Sequence, residues 1–214
     1  MKMIVRLLGV IMLIVAQIGG VVASNEKAAA PAEKFVPLFN GKDLQGWKMT
    51  GPGKFTVADG LLHTNGGMGL LWYEKKAFGD FVLQVEWKVL RPEDNSGIFL
   101  RFPEPPNDPW YAVNNGYEVQ IQDMAEPKHR TGAIYSFQAS TKVTSKSPGE
   151  WNLFEITVVG QKYTVVLNGE KVCEFTGSRS LKGYLGLQNH DDASRVSFRA
   201  VRVKELPSAL REEK

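Results

Sequence analysis

Polar and apolar positions alternate with a period of two along most of the chain. In residues 81–89, Phe81, Leu83, Val85, Trp87 and Val89 fall on one side, and Gln84, Glu86 and Lys88 on the other. That is the pattern of a half-buried strand. Residues 98–102, 117–122, 133–137, 154–159, 163–167, 171–175, 184–188 and 196–203 are further runs of strand length and composition. Asp59-Gly60 separates 55–57 from 61–63, and Asn168-Gly169 separates 163–167 from 171–175. Both dipeptides favour tight hairpin turns. No helical apolar periodicity is long enough for a central helix. Roughly ten short strands in about 170 residues predict an all-β fold, a single antiparallel β-sandwich.

The ends of the chain differ from this block. Residues 1–23 open with Lys2 and Arg6, continue as an apolar run over 7–15 broken by Gly9, and close on Val21-Val22-Ala23. This reads as a signal peptide cut before Ser24. A retained membrane anchor is the alternative, weakened by Gln17, Gly19 and Gly20. No Cys stands at the cut to carry a lipid. Residues 24–34 are small, polar and Ala-rich, the composition of a flexible linker. Residues 35–206 form the expected domain and 207–214 a charged tail. The expected location is therefore outside the cytoplasm, periplasmic or secreted, with no membrane attachment after cleavage.

Composition narrows the picture further. The chain has 214 residues, 43% of them hydrophobic, which excludes a wholly disordered or collagen-like protein. The length allows a sizeable core without metals or disulfides. Removing Lys2 and Arg6 with the leader lowers the net charge from +3 to +1, so there is no electrostatic footprint for nucleic acid. Cys173 is the only cysteine and lies in a predicted strand, where a buried inert thiol is expected.

Candidate chemistry lies on the outward phases of the strands. Tyr117, Val119 and Ile121 point one way; Glu118, Gln120 and Gln122 share the other face. A carboxylate flanked by amides suits sugar hydroxyls and can serve as acid or base. A solvated polar face is the plain alternative. Gly97, Phe99 and Arg101 fall on one face of their strand. Arg101 could donate to a substrate oxygen or a developing oxyanion, or could pair with Glu86 or Glu118. Gln188, His190, Asp191 and Asp192 form the richest polar cluster. His190 is a candidate base, acid or metal ligand, and a divalent cation there would need a second side chain such as Glu118. Residues 103–116 form a long loop in which Trp110 and Tyr111 could stack on sugar rings or pin the loop. His63 and His129 rank lower. There is no phosphate-cradling loop, GxSxG elbow, dinucleotide fingerprint or HExxH helix. Glu118-Val119-Gln120 carries an amide where paired-carboxylate sandwich glycosidases carry a second acid, which disfavours that mechanism.

Seven short motifs occur in one order. They are Phe39-Asn40-Gly41-Lys42-Asp43-Leu44 with Gly46-Trp47, Asn95-Ser96-Gly97-Ile98-Phe99, and Tyr117-Glu118-Val119-Gln120-Ile121. Thr131-Gly132-Ala133-Ile134-Tyr135, Gly149-Glu150-Trp151-Asn152, residues 183–190 and Val196-Ser197-Phe198-Arg199 complete the series. Together they resemble the 3-keto-disaccharide hydrolase domain family over nearly all of residues 35–206. The resemblance implies a concanavalin A-like jelly roll, exported from a bacterium, acting on glycosides whose sugar C3 is a ketone. Such chemistry needs a base for the C2 proton, a positive group at the C3 oxygen and a proton donor for the leaving oxygen. His190, Glu118 and Arg101 are the expected catalytic residues, with Gln120, Gln188, Trp110, Tyr111 and Gln122 binding substrate. No cofactor is certain; a divalent cation on His190 and Glu118 is the possible one. A non-catalytic carbohydrate-binding module is the alternative function. Ser136-Phe137-Gln138-Ala139-Ser140 departs from the family pattern and is expected to alter the pocket wall.

Overall fold

The structure is a computed structural model that describes residues 34–207. The signal peptide, all but the last residue of the linker, and the tail beyond Pro207 lie outside the described residues. The elements are β1 (Val36–Pro37), β2 (Trp47–Thr50), β3 (Lys54–Ala58), β4 (Leu61–Asn65), β5 (Gly69–Tyr73), β6 (Phe81–Val89) and β7 (Ser96–Phe102). Then come α1 (Trp110–Asn115), β8 (Tyr117–Ile121), β9 (Asn152–Val159), β10 (Lys162–Leu167), β11 (Glu170–Thr176), β12 (Tyr184–Asn189) and β13 (Val196–Glu205). Among the described residues no helix is long and apolar enough to cross a membrane.

The strands form two antiparallel sheets. One runs β11-β10-β9-β6-β13-β4-β3, with β1 also paired to β13; the other runs β2-β5-β12-β7-β8. The predicted hairpins are present. Asp59 and Gly60 have φ of 52° and 77°, and Asn168 and Gly169 have φ of 52° and 87°, the left-handed pair that a two-residue turn of this type requires. Between the sheets lies the main core, where the inward residues of β6 meet Ile98, Leu100, Val119, Ile121, Leu185 and Leu187. Trp87 and Cys173 belong to it, and burial is the largest influence on the Cys173 thiol, raising its pKa.

A second apolar cluster lies on the outer face of the five-stranded sheet. Leu70, Trp72, Phe99 and Phe102 pack there under Ala112 of α1, with Tyr111, Val113 and Tyr184 against them. So β5 is apolar on both faces and shows no alternation, which is why the pattern of the sequence does not announce it. The helix itself sits within residues 103–116, expected to be irregular. Pro109 leads into α1 in helical conformation, and the Asp108 carboxylate accepts from the Trp110 amide at 2.7 Å. Residues 133–137, expected as a strand, are instead a turn. Gly132 and Ser136 have φ of 84° and 64°, and Ile134 makes only isolated bridges to Val119 and Gln138.

Candidate active site

The outer face of the five-stranded sheet carries the site, and the strand register builds it. Lys48 stands opposite Trp72, Trp72 opposite Gly186, Gly186 opposite Phe99, and Phe99 opposite Glu118. The neighbouring row holds Thr50, Leu70 and Gln188, with Gly97 opposite Gln120. One side of this face is apolar and covered by α1. The other is a polar floor of Glu118, Gln120 and Gln188. Above that floor opens a cleft of about 420 Å³, walled by Met68, Trp110, Val113, Ala125, His129 and Tyr135. Asn95, Gln122 and His190 complete its lining.

Glu118 is only 5% exposed, and its Oε1 is buried without a hydrogen-bond partner. Burial alone pushes its carboxyl up to about 8, so at neutral pH it holds its proton. The Gln188 side-chain oxygen is likewise buried and unpartnered. Gln120 donates its amide to Asn95 Oδ1 at 2.8 Å. Gln122 is turned toward its own chain, its Oε1 accepting from the Met124 and Ala125 amides.

His190 follows β12 into solvent and pairs with its neighbour. Its Nδ1 lies 2.7 Å from Asp191 Oδ2. Burial raises the Asp191 pKa, but hydrogen bonds from His190, from the Ser194 hydroxyl and from the Ala193 and Ser194 amides outweigh it and hold the carboxyl near about 2. An ionised Asp191 fixes the imidazole tautomer: Nδ1–H donates to it, and Nε2 is left as the basic nitrogen. A second histidine, His129, reaches the cleft from a loop. Its Nδ1 is 2.9 Å from Glu126, its Nε2 is 3.1 Å from the Ser136 hydroxyl, and its ring stacks on Tyr135 at 4.6 Å.

A smaller pocket of about 210 Å³ adjoins the cleft, and Val113, Glu118 and Tyr135 line both. Its other walls include Asn114, Ser136, Phe137 and Arg179. Ser136 and Phe137, from the segment expected to alter the pocket wall, line this smaller pocket.

Of the expected site residues, His190, Glu118, Gln120, Gln188, Gln122 and Trp110 share the cleft. Trp110, 58% exposed, stands at its edge. Tyr111 does not; it packs on the apolar cluster beneath α1 and pins the helix. Arg101 also requires correction. Tyr184 pairs with Phe102 but Leu185 pairs with Leu100, so Arg101 is the extra residue of a β-bulge, with φ of 55°. A one-residue slip turns a side chain to the opposite face. Arg101 is therefore fully buried, pairs with Asp80 at 2.9 Å, donates to the Gly79 and Gly160 carbonyls, and lies over the rings of Phe81 and Tyr163. Neither Glu86 nor Glu118 is its partner. Glu86 pairs with Arg199 instead.

Asn95, His129 and Tyr135 are cleft residues that the reading of the sequence does not assign. Asn95 and Tyr135 fall within the ordered motifs, the only signal that could have found them. Among the described residues no three His, Cys, Asp or Glu side chains come together so as to hold a metal ion. Glu118 and Gln188 each have a buried side-chain oxygen without a partner; with the carboxyl ionised, these two and His190 of the same cleft would be the residues to hold a divalent cation, which takes carboxylate and amide oxygens.

A family model described as the 3-keto-alpha-glucoside-1,2-lyase-like domain matches residues 34–204. A crystal structure from Parabacteroides distasonis, named a "putative glycosyl hydrolase", is similar at 27% identity over 82% of this chain and 95% of that one, with a TM-score of 0.72. Two Bacillus subtilis structures share the fold at 13% identity. The carbohydrate-binding module CBM66 has a TM-score of 0.57 over 75% of this chain and 96% of its own. A protein of unknown function with a galectin-like fold has a TM-score of 0.62 over 82% and 96%. No curated protein matches the chain. The sandwich is of the jelly-roll type expected from the ordered motifs.

Proposed function

The chain belongs to the 3-keto-alpha-glucoside-1,2-lyase-like domain family, and from that membership we propose that it cleaves 3-keto-glycosides by elimination followed by hydration. The observation that carries the reading is Glu118: a buried carboxyl, protonated at neutral pH and without a partner, in one cleft with a histidine whose free nitrogen is basic. That places a proton donor and a candidate base in one cleft.

In the first half-reaction His190 Nε2 takes the C2 proton, acidified by the C3 ketone. The C–H electron pair becomes the C2–C3 double bond of an enolate, with the charge on O3. As C3=O re-forms, the pair moves to C1–C2 and expels the C1 substituent, whose oxygen receives the Glu118 proton. In the second half-reaction water adds to C1, the Glu118 carboxylate takes its proton, and His190 returns a proton to C2. The sum is hydrolysis, with both residues restored. Gln120 and Gln188 donate to the sugar hydroxyls, and Trp110 offers a face at the rim. The protein works after export, its leader removed before Ser24.

Incubation of the purified protein with a 3-keto-disaccharide and with the unoxidised sugar tests this. Release of monosaccharide from the keto sugar alone is expected. Release from neither overturns the reading and favours a carbohydrate-binding module, for which the exposed Trp110 is the supporting observation.

A further inference from the structure

We infer that Arg179 is the positive group that meets the C3 enolate, with the smaller pocket holding the keto end of the sugar; this rests on the function proposed above. The chemistry places a negative charge on O3, and a fixed donor there lowers the barrier. Arg101 cannot serve, being fully buried and committed to Asp80 and the Gly79 and Gly160 carbonyls. Arg179 lines the smaller pocket.

Arg179 is held without being used up. Its Nη1 donates to the Val113 and Gly116 carbonyls at the end of α1. Its guanidinium lies 5.0 Å from each of the Tyr117 and Phe137 rings. Among the described residues no carboxylate pairs with it, and Nε and Nη2 donate to no protein acceptor. A guanidinium anchored by one nitrogen, with the remaining N–H groups free, is an oriented oxyanion donor.

The second observation is the partition between the pockets. Glu118 lines both and has a buried, unpartnered carboxyl oxygen. A sugar with O3 in the smaller pocket brings C2 and C1 to this partition. Its C1 substituent then lies in the wider cleft near Trp110. During enolate formation no bond to Arg179 forms or breaks; it meets charge only.

The test uses Arg179→Ala in the full protein. C2–H exchange of a 3-keto-disaccharide in heavy water, followed by proton NMR, reports the enolate directly; cleavage is measured in parallel. Loss of one oxyanion donor is expected to slow exchange and kcat by about 10²–10³-fold, with KM moved less than about threefold. Millimolar guanidinium ion should restore part of the rate. If the alanine variant does not fold, Arg179→Gln, which keeps a donor toward the Gly116 carbonyl, is read the same way. A folded variant that exchanges and cleaves within about threefold of the parent, or that loses only melting temperature, overturns the inference alone. A parent that neither exchanges nor cleaves overturns the proposed function and this assignment together.

Discussion

Gly97 exists for the sake of Glu118. Gly97 pairs with Gln120 and Phe99 with Glu118, so Gly97 and Glu118 are diagonal neighbours across β7 and β8, and a methyl group on Gly97 would stand 1.9 Å from Glu118 Oε1 and 2.7 Å from its Cδ and Cγ. The missing side chain is the space the carboxyl occupies. Gly97→Ala is expected to push the carboxyl out of its buried site, cost about 1–3 kcal/mol by overpacking, and remove most turnover. Chemical denaturation and a cleavage assay check both. Full turnover in the variant contradicts the placement of Glu118.

Glu118 also sets a pH dependence. Its folded carboxyl titrates at about 8 against an ordinary value of 4.5. Between these values the native state keeps a proton that the unfolded chain releases. The contribution to stability is therefore full below about pH 4.5, falls by about 1.4 kcal/mol per pH unit, and levels off above about pH 8. Glu118→Gln should abolish that slope while lowering kcat by about 10²–10⁴-fold, the usual effect of losing an acid–base group. Urea titrations at several pH values, and the fall of parent kcat/KM as pH rises through about 8, are the measurements.

His190→Ala and Asp191→Ala should separate chemistry from folding. His190 is solvent-facing, so its removal is expected to move stability by no more than about 0.5 kcal/mol and turnover by about 10²–10⁴-fold. Asp191 additionally accepts from the Ala193 and Ser194 amides and the Ser194 hydroxyl. Its alanine variant should lose turnover and about 1–3 kcal/mol as well. Equal melting temperatures for the two variants would contradict this division.

Arg101→Ala should show the opposite pattern. Leaving the Asp80 carboxylate without this partner is expected to cost about 3–5 kcal/mol, while the protein that remains folded keeps the turnover of the parent. Thermal melts paired with activity per folded molecule decide it. A variant that is stable but inactive would return Arg101 to the site.

The legible parts of the fold are those where one face is wet. β6 alternates because its outer face meets water, and the two hairpins announce themselves through Asp59-Gly60 and Asn168-Gly169. β5 is hidden because α1 covers its outer face, leaving no polar phase to count. α1 itself is too short for periodicity, and the Ile134 run looks like a strand until Gly132 and Ser136 turn it. In the site, Glu118, Gln120, Gln188 and His190 are readable as outward positions on or just after strands. Arg101 is misread because a bulge resets the phase one residue before the strand ends. His129, Tyr135 and Arg179 reach the pockets from loops, and only the folded chain brings them there.

The apolar packing comes in two parcels on opposite faces of one sheet. The parcel between the sheets joins them, while the parcel under α1 seats the helix whose Trp110 and Val113 line the candidate cleft. Leu70, Phe99 and Phe102 of that second parcel are fully buried, so a change there reaches the sandwich as well as the cleft, whereas Trp110 at the rim is exposed and can change at little cost to the fold. Directed evolution would do well to start at that rim and leave both buried parcels untouched.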